Sequence, residues 1–244
     1  MFMRYERIAL AAVLAVAASS AHAQITAYSG EDVGASPPGP YPNSNAAAAT
    51  FDAAATLFGP ETIITFEPPT PLGAFSSLSF APGVTLTGSN ISAGEQTIIN
   101  TPLGTPVSVF GFNTTPGGSQ WLSLFGGSAT FNFATPVNYF GAYLTGVQLG
   151  GEAFQFTDSG GSESVAIPNP GSGAEFVGFT DTNSFSSVTI NVGGDIVGVD
   201  DVRVEGPAIS SSTTPEPSSL AMFAISVLTG GGFLRRRLRS HRTA

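Results

Sequence analysis

Three short stretches hold the residues whose types and spacing could do chemistry: Glu67 in Ile64-Thr65-Phe66-Glu67, Asp200 and Asp201 in Val199-Asp200-Asp201-Val202, and Trp121 just after Gly117-Gly118-Ser119-Gln120. Calcium needs only oxygen ligands, so Glu67 and Asp200, with Asp201 beside them, are the candidate pair for such an ion. Asp200 shares the phase of Val202 and Val204 and should point inward, where a carboxylate requires donors or a cation. Backbone N–H groups or Arg203 are the other partners that could satisfy it. The run from Asp195 to Asp200 does not have the spacing of an EF-hand loop. Trp121 should open a strand beside a loop, which makes it the candidate platform for stacking on a sugar ring. Phe125, Tyr139 and Tyr143 are weaker candidates for that role. With 19 Phe in the chain, most aromatic side chains must be core.

Absences narrow the chemistry further. The two histidines are His22 and His241, cysteine is absent, and all eight basic residues are Arg. Between Gln24 and Thr214 there is thus no His, Cys or Lys. A Ser-His-Asp triad, a Cys-His pair, a His- or Cys-ligated zinc, a Schiff-base lysine and a P-loop are excluded there. A carboxylate pair working on a glycosidic bond needs two acids about 5–9.5 Å apart in a cleft, and no catalytic residue is assigned on sequence. The same stretch holds 15 acidic residues against Arg203 alone, a formal charge of −14. A nucleic-acid partner requires clustered cations to displace counterions, so that class is excluded. No cofactor is assigned beyond the calcium candidate, while a neutral carbohydrate partner suits this charge.

The elements that must position these residues are mostly strands. From residue 61 onward, short Phe/Val/Ile/Thr segments alternate with Gly/Pro/Asn/Ser turns every 8–14 residues, and period-two pairs such as Phe131/Phe133 and Phe154/Phe156 recur. That spacing predicts an all-β, antiparallel β-sandwich over residues 61–208, jelly-roll-like in preference to an immunoglobulin-like order. Residues 24–60 read as an extended lead-in followed by one short amphipathic helix, capped by Asn45, with Phe51, Ala54, Ala55 and Phe58 on one face and Gly59-Pro60 ending it.

Both ends read as targeting segments. Arg4 and Arg7, an apolar run from Ile8 to Ala18 and the small residues Ala21 and Ala23 form a signal peptide over 1–23, with cleavage expected between Ala23 and Gln24. A linker, 209–217, carries Pro215-Glu216-Pro217. An apolar stretch, 218–234, is then expected as a separate C-terminal transmembrane helix, at the short limit for a span. Arg235, Arg236, Arg237, Arg239 and Arg242 make 235–244 a basic cytoplasmic tail by the positive-inside rule.

Pro-Glu-Pro, apolar stretch and terminal Arg cluster, in that order behind a signal peptide, resemble the tail of PEP-CTERM proteins, a sorting class of Gram-negative bacteria that make extracellular polysaccharide. The resemblance implies the Sec machinery and an exosortase, a multi-pass membrane cysteine protease, as partners, with cleavage near Pro215–Pro217. It also implies transient anchoring by the C-terminal helix before release to the cell surface or medium. The central part is similar to other exported domains of that class through Ile64–Glu67, Pro136-Val137-Asn138-Tyr139-Phe140-Gly141 and Val199–Val202. The expected function is a non-enzymatic surface or matrix protein linked to exopolysaccharide. A carbohydrate-binding module, with or without calcium, is the alternative.

Overall fold

The computed structural model describes residues 24–80, 83–89 and 96–206. Their elements are β1 (Ile25–Val33), α1 (Pro42–Ala55), β2 (Glu61–Ile64), β3 (Gly73–Ala74), β4 (Ser77–Phe80), β5 (Val84–Ser89), β6 (Gln96–Ile99), α2 (Val107–Phe110), β7 (Trp121–Thr145), β8 (Ala153–Asp158), β9 (Gly161–Ala166) and β10 (Gly173–Glu205). All strand pairings are antiparallel. These residues form an all-β, sheet-rich domain consistent with a sandwich or jelly roll.

The long strands β7 and β10 organise it. In place of short strands separated by turns, hydrogen bonding continues through Gly126-Gly127 and Gly193-Gly194, with Gly193 paired to Gly127 across a register shift. Positive φ at Gly126, Gly127 and Gly193 produces a bulged corner in place of a hairpin. A second break lies where Thr180 pairs with Tyr139 but Phe185 pairs with Val137, beside Pro136, which has no N–H for the ladder. Each long strand thereby passes from one layer to the other. In one layer β4, β5, residues 128–133 of β7, residues 187–191 of β10, β8 and β9 lie side by side. In the other, residues 139–145 of β7 lie between two stretches of β10, 174–180 and 198–204, flanked by β1 and β2.

Alternation puts Leu86, Phe131, Val188 and Phe154 from the first layer against Phe140, Val177, Phe179 and Val204 from the second, in one apolar core. Stacked and edge contacts such as Phe156–Phe179 (4.4 Å between centroids) and Phe140–Phe154 (5.2 Å) fill it. The outer side of the second layer is covered by α1. Phe51 packs there against Tyr139 and Phe176, over Gly141 and Gly178, which pair directly across β7 and β10. A methyl group at Gly178 would lie 2.7 Å from the Phe51 ring, and one at Gly141 2.8 Å from Phe176 and 3.2 Å from Phe51.

Four expectations need correction or placing. The lead-in is not peripheral: β1 pairs with β10 over nine residues, from Ile25↔Asp181 to Val33↔Gly173. The helix starts at Pro42, not Asn45, and its first N–H groups are capped from β1, where Asp32 accepts from Asn43 N (3.1 Å) and Ser44 N (2.8 Å). The expected membrane helix is withdrawn, and with it the transmembrane and anchored parts of the expected localisation: among the described residues no helix is long and apolar enough to cross a membrane. Stretch 218–234, the signal segment with Ala23, Pro215–Pro217 and the Arg cluster from Arg235 to Arg242 lie outside the described residues.

Candidate functional site

Ile64–Glu67, Val199–Val202 and the end of Pro136–Gly141 come together as neighbours. Val202 pairs with Ile64, Arg203 with both Ile63 and Gly141, and Val204 with Phe140. β2, the last stretch of β10 and the Phe140–Gly141 part of β7 are therefore neighbouring strands, and Glu67, just past β2, and Asp200, in β10, both reach loop 113–120.

Two acidic centres fasten that loop. Glu67 Oε1 accepts from Asn113 Nδ2 (2.9 Å), Ser119 N (2.6 Å) and Gln120 N (2.8 Å). Gly118 makes room for this, since a side chain there would strike Glu67 Oε1. Asp200, 0% exposed, accepts at Oδ2 from Thr114 N (2.7 Å) and Thr115 N (3.1 Å), and at Oδ1 from Asp201 N (2.9 Å). Thr115 Oγ1 also donates to Asp201 Oδ1 at 2.7 Å. Burial, then the Asp201 charge, pushes the Asp200 carboxyl above its ordinary range, against backbone N–H donors that favour the ionised form. Among the described residues, the two non-glycine residues with positive φ, Phe66 (59°) and Asp201 (45°), sit at these two clamps. Such backbone costs on the order of 1 kcal/mol and persists where surrounding contacts enforce it.

Arg203 forms the third wall. Its Nε donates to Asp52 of α1 (2.9 Å), its Nη1 to the Asp201 carbonyl (2.9 Å), and its guanidinium lies 5.3 Å from the ring centres of Tyr143 and Phe176. Glu61 stands 3.8 Å from the same Nε; burial and then Asp52 push its carboxyl upward. Tyr143 Oη donates to Asn45 Oδ1 (2.7 Å), joining the helix to the same wall.

Between these pieces lies an open cavity of about 690 Å³. Pro37, Pro38 and Pro40 line it together with Asn113 to Ser119 and with Asp201, Arg203, Asn45 and Tyr143. Ligand pockets of this size combine apolar walls with a few fixed polar groups, and this one does so with carboxylate, guanidinium and amide groups.

The geometry sorts the sequence candidates. Glu67 and Asp200 do converge, but on the N–H groups of one loop. Of the partners considered for Asp200, backbone donors satisfy it and Arg203 does not. Among the described residues no group of three acidic or histidine side chains is arranged to hold a metal. Trp121 lines the cavity yet is 3% exposed, so its ring face is not presented for stacking and that role is withdrawn. Tyr139 is buried beneath α1, and Phe125, 54% exposed, lies outside the cavity lining. Sequence reasoning missed Pro37–Pro40 as a wall, because nothing in that stretch signals that β1 anchors it to the sheet. It also missed Glu152 and Glu175. Both are buried, and their carboxylate oxygens lack hydrogen-bond donors.

No family model and no curated protein matches the chain. Among solved structures there is a partial similarity to the enzymatically active domain of bacteriophage CBA120 tailspike protein 4, at 17% identity and a TM-score of 0.28. It covers 51% of this chain and 19% of that one, and a likeness at this level carries no argument about fold or activity.

Proposed function

We propose that the β domain is a non-catalytic glycan-binding module whose cavity between Pro37–Pro40 and loop 113–119 takes a neutral oligosaccharide. The observation that carries this reading is the clamped rim. Glu67 and Asp200 hold the loop through backbone N–H groups, so the cavity is fixed before a ligand arrives and little ordering cost falls on binding. Carboxylate, guanidinium and amide groups in the lining offer acceptors and donors to sugar hydroxyls, while prolines supply apolar contact. The acidic surface repels anionic polymers and favours an uncharged one. Binding in this scheme is independent of calcium, since the carboxylates that could recruit the ion are occupied by protein donors.

The setting is part of the proposal and rests on sequence. The order of Pro215-Glu216-Pro217 and the terminal Arg cluster behind a signal-like segment supports Sec export and handling by an exosortase in an envelope that makes exopolysaccharide.

Glycan-array binding tests the module. Wild-type chain is expected to bind neutral oligosaccharides equally with and without a calcium chelator. Ser119→Trp, which leaves the backbone N–H to Glu67 in place and fills the cavity mouth, is expected to weaken binding at least tenfold. Unchanged binding by that variant, or silence across the neutral glycans, overturns the reading.

A further inference from the structure

The outer face of the first layer carries rows of uncharged polar side chains. Strand register places Ser77 opposite Thr87, Thr87 opposite Thr130, Thr130 opposite Thr189, Thr189 opposite Gln155, and Gln155 opposite Ser164. One row of hydroxyl and amide groups thus crosses six strands. A parallel row two residues away runs through Ser79, Thr85, Asn132 and Ser187 on β4, β5, β7 and β10, and continues with the pair Thr157 and Ser162 on β8 and β9. All these side chains are exposed or half-buried, because their alternate neighbours Leu86, Phe131, Val188, Phe154 and Val165 take the core face. At about 4.8 Å between strands, each row extends roughly 24 Å, with about 6.8 Å between rows.

Contacts within the face hold the pattern. Thr130 Oγ1 and Thr189 Oγ1 are 2.9 Å apart, and Asn132 Nδ2 donates to Thr87 Oγ1 at 3.0 Å. A shallow hollow of about 410 Å³ opens over Gln155, Thr157, Ser162, Ser164, Ser187 and Thr189, with Phe156 and Glu163 also in its lining. None of the side chains in the two rows is charged, although the stretch from Gln24 to Thr214 has a formal charge of −14.

We infer that this face is a second, extended binding surface, which takes a single chain of neutral polysaccharide laid across the strands. Groups that both donate and accept hydrogen bonds, repeated at short intervals, match a polymer that carries hydroxyls at every unit. An anionic polymer finds no cation here. A protein partner is a poor fit, because interface cores are enriched in aromatic residues, Met and Arg and depleted in Ser, and these rows contain no residue of the enriched types. A planar crystal surface is also a poor fit, since neighbouring strands rotate by about 20–25° and six of them cannot stay flat. A flexible single chain can follow that twist. The surface is separate from the cavity and stands whether or not the cavity binds sugar.

Depletion of the full chain by insoluble particles tests this, using amorphous cellulose, xylan and mannan, with crystalline cellulose alongside. The chain with its sheet face unaltered is expected to be retained by at least one of the three amorphous or hemicellulosic particles. Gln155→Glu/Ser164→Glu, which puts two carboxylates on exposed positions of one row, is expected to cut retention about tenfold. Thr189→Val removes a central hydroxyl while keeping the side-chain shape and is expected to cut it severalfold, which decides the matter if the double variant does not fold. Every protein is compared in the Ser119→Trp background, so that binding by the cavity does not enter the readout. In that background the inference is overturned by no retention on any of the three, by full retention in both sheet-face variants, or by retention on crystalline cellulose alone.

Discussion

Glu175 sits opposite Glu31 in the β1–β10 ladder, 0% exposed, with neither carboxylate oxygen hydrogen-bonded. Burial first, then the charges of Glu31 and Glu152, push its carboxyl up to about 9. Glu152 is pushed up to about 8 by burial, then by Asp195. Without a proton neither Glu152 oxygen has a donor, whereas with one it donates to Asp195. Both groups hold protons in the folded state at pH values where the unfolded chain has lost them. Stability therefore falls as pH rises from about 4.5, and the fall ends only above the folded values near 8 and 9. Denaturant midpoints are expected to decline between pH 5 and pH 9, and Glu175→Gln to flatten that decline. A midpoint that rises across this range, or an unaltered slope in the variant, contradicts the assignment. Asp200 was legible in sequence through its phase with Val202, but Glu175 was not. It stands in the run Ala174-Glu175-Phe176-Val177, where both faces are buried, so alternation gave no polar face to reveal it.

At the scale of elements, α1 stays on the sheet because two glycines leave room for one ring. Gly141 and Gly178 form a flat floor beneath Phe51, and Arg203 ties Asp52 of the same helix to β10. Gly141→Ala is expected to destabilise by about 1–3 kcal/mol through overpacking, and Phe51→Ala by about 3–5 kcal/mol through the cavity it leaves. Thermal unfolding of both variants checks the ordering, and an alanine at Gly141 without effect would show that the helix floats. The helix itself was readable from Phe51 and Ala55, and strands β8, β9 and the core-facing phenylalanines from period two. The cap from Asp32 and the continuous bent strands were not. A Gly-Gly pair signals a turn as readily as a bulged corner, and only the facing pair Gly127 and Gly193 decides between them. The hydroxyl rows were half visible: Thr85-x-Thr87, Gln155-x-Thr157 and Ser162-x-Ser164 alternate openly, but register across strands is what aligns them.

For the whole molecule, charge is the dominant imbalance. The 15 acidic residues from Gln24 to Thr214 share one cation, Arg203, already engaged with Asp52 and near Glu61. Self-repulsion at this density weakens the compact state and is screened once the Debye length falls from about 30 Å at 0.01 M salt to about 10 Å at 0.1 M. The unfolding temperature is expected to rise as sodium chloride increases over that range, measured at pH 7, and a fall would mean that the Arg203 pairs outweigh the repulsion. Sequence alone gave this charge imbalance in full, since it is a sum over residue types. The convergence of Glu67 and Asp200 on one loop needed the pairing of β2 with β10, which no local pattern specifies.

That lone Arg has a consequence for how the domain can be cut. A trypsin-like protease needs a basic residue in an extended segment free to enter its cleft. Among the described residues the only such bond follows Arg203, whose backbone is paired with Ile63 on one side and Gly141 on the other. Cleavage there requires those ladders to open, so the folded domain is its own protection against such enzymes. Fragments divided at the bond after Arg203 would then count the molecules whose central strands have come apart.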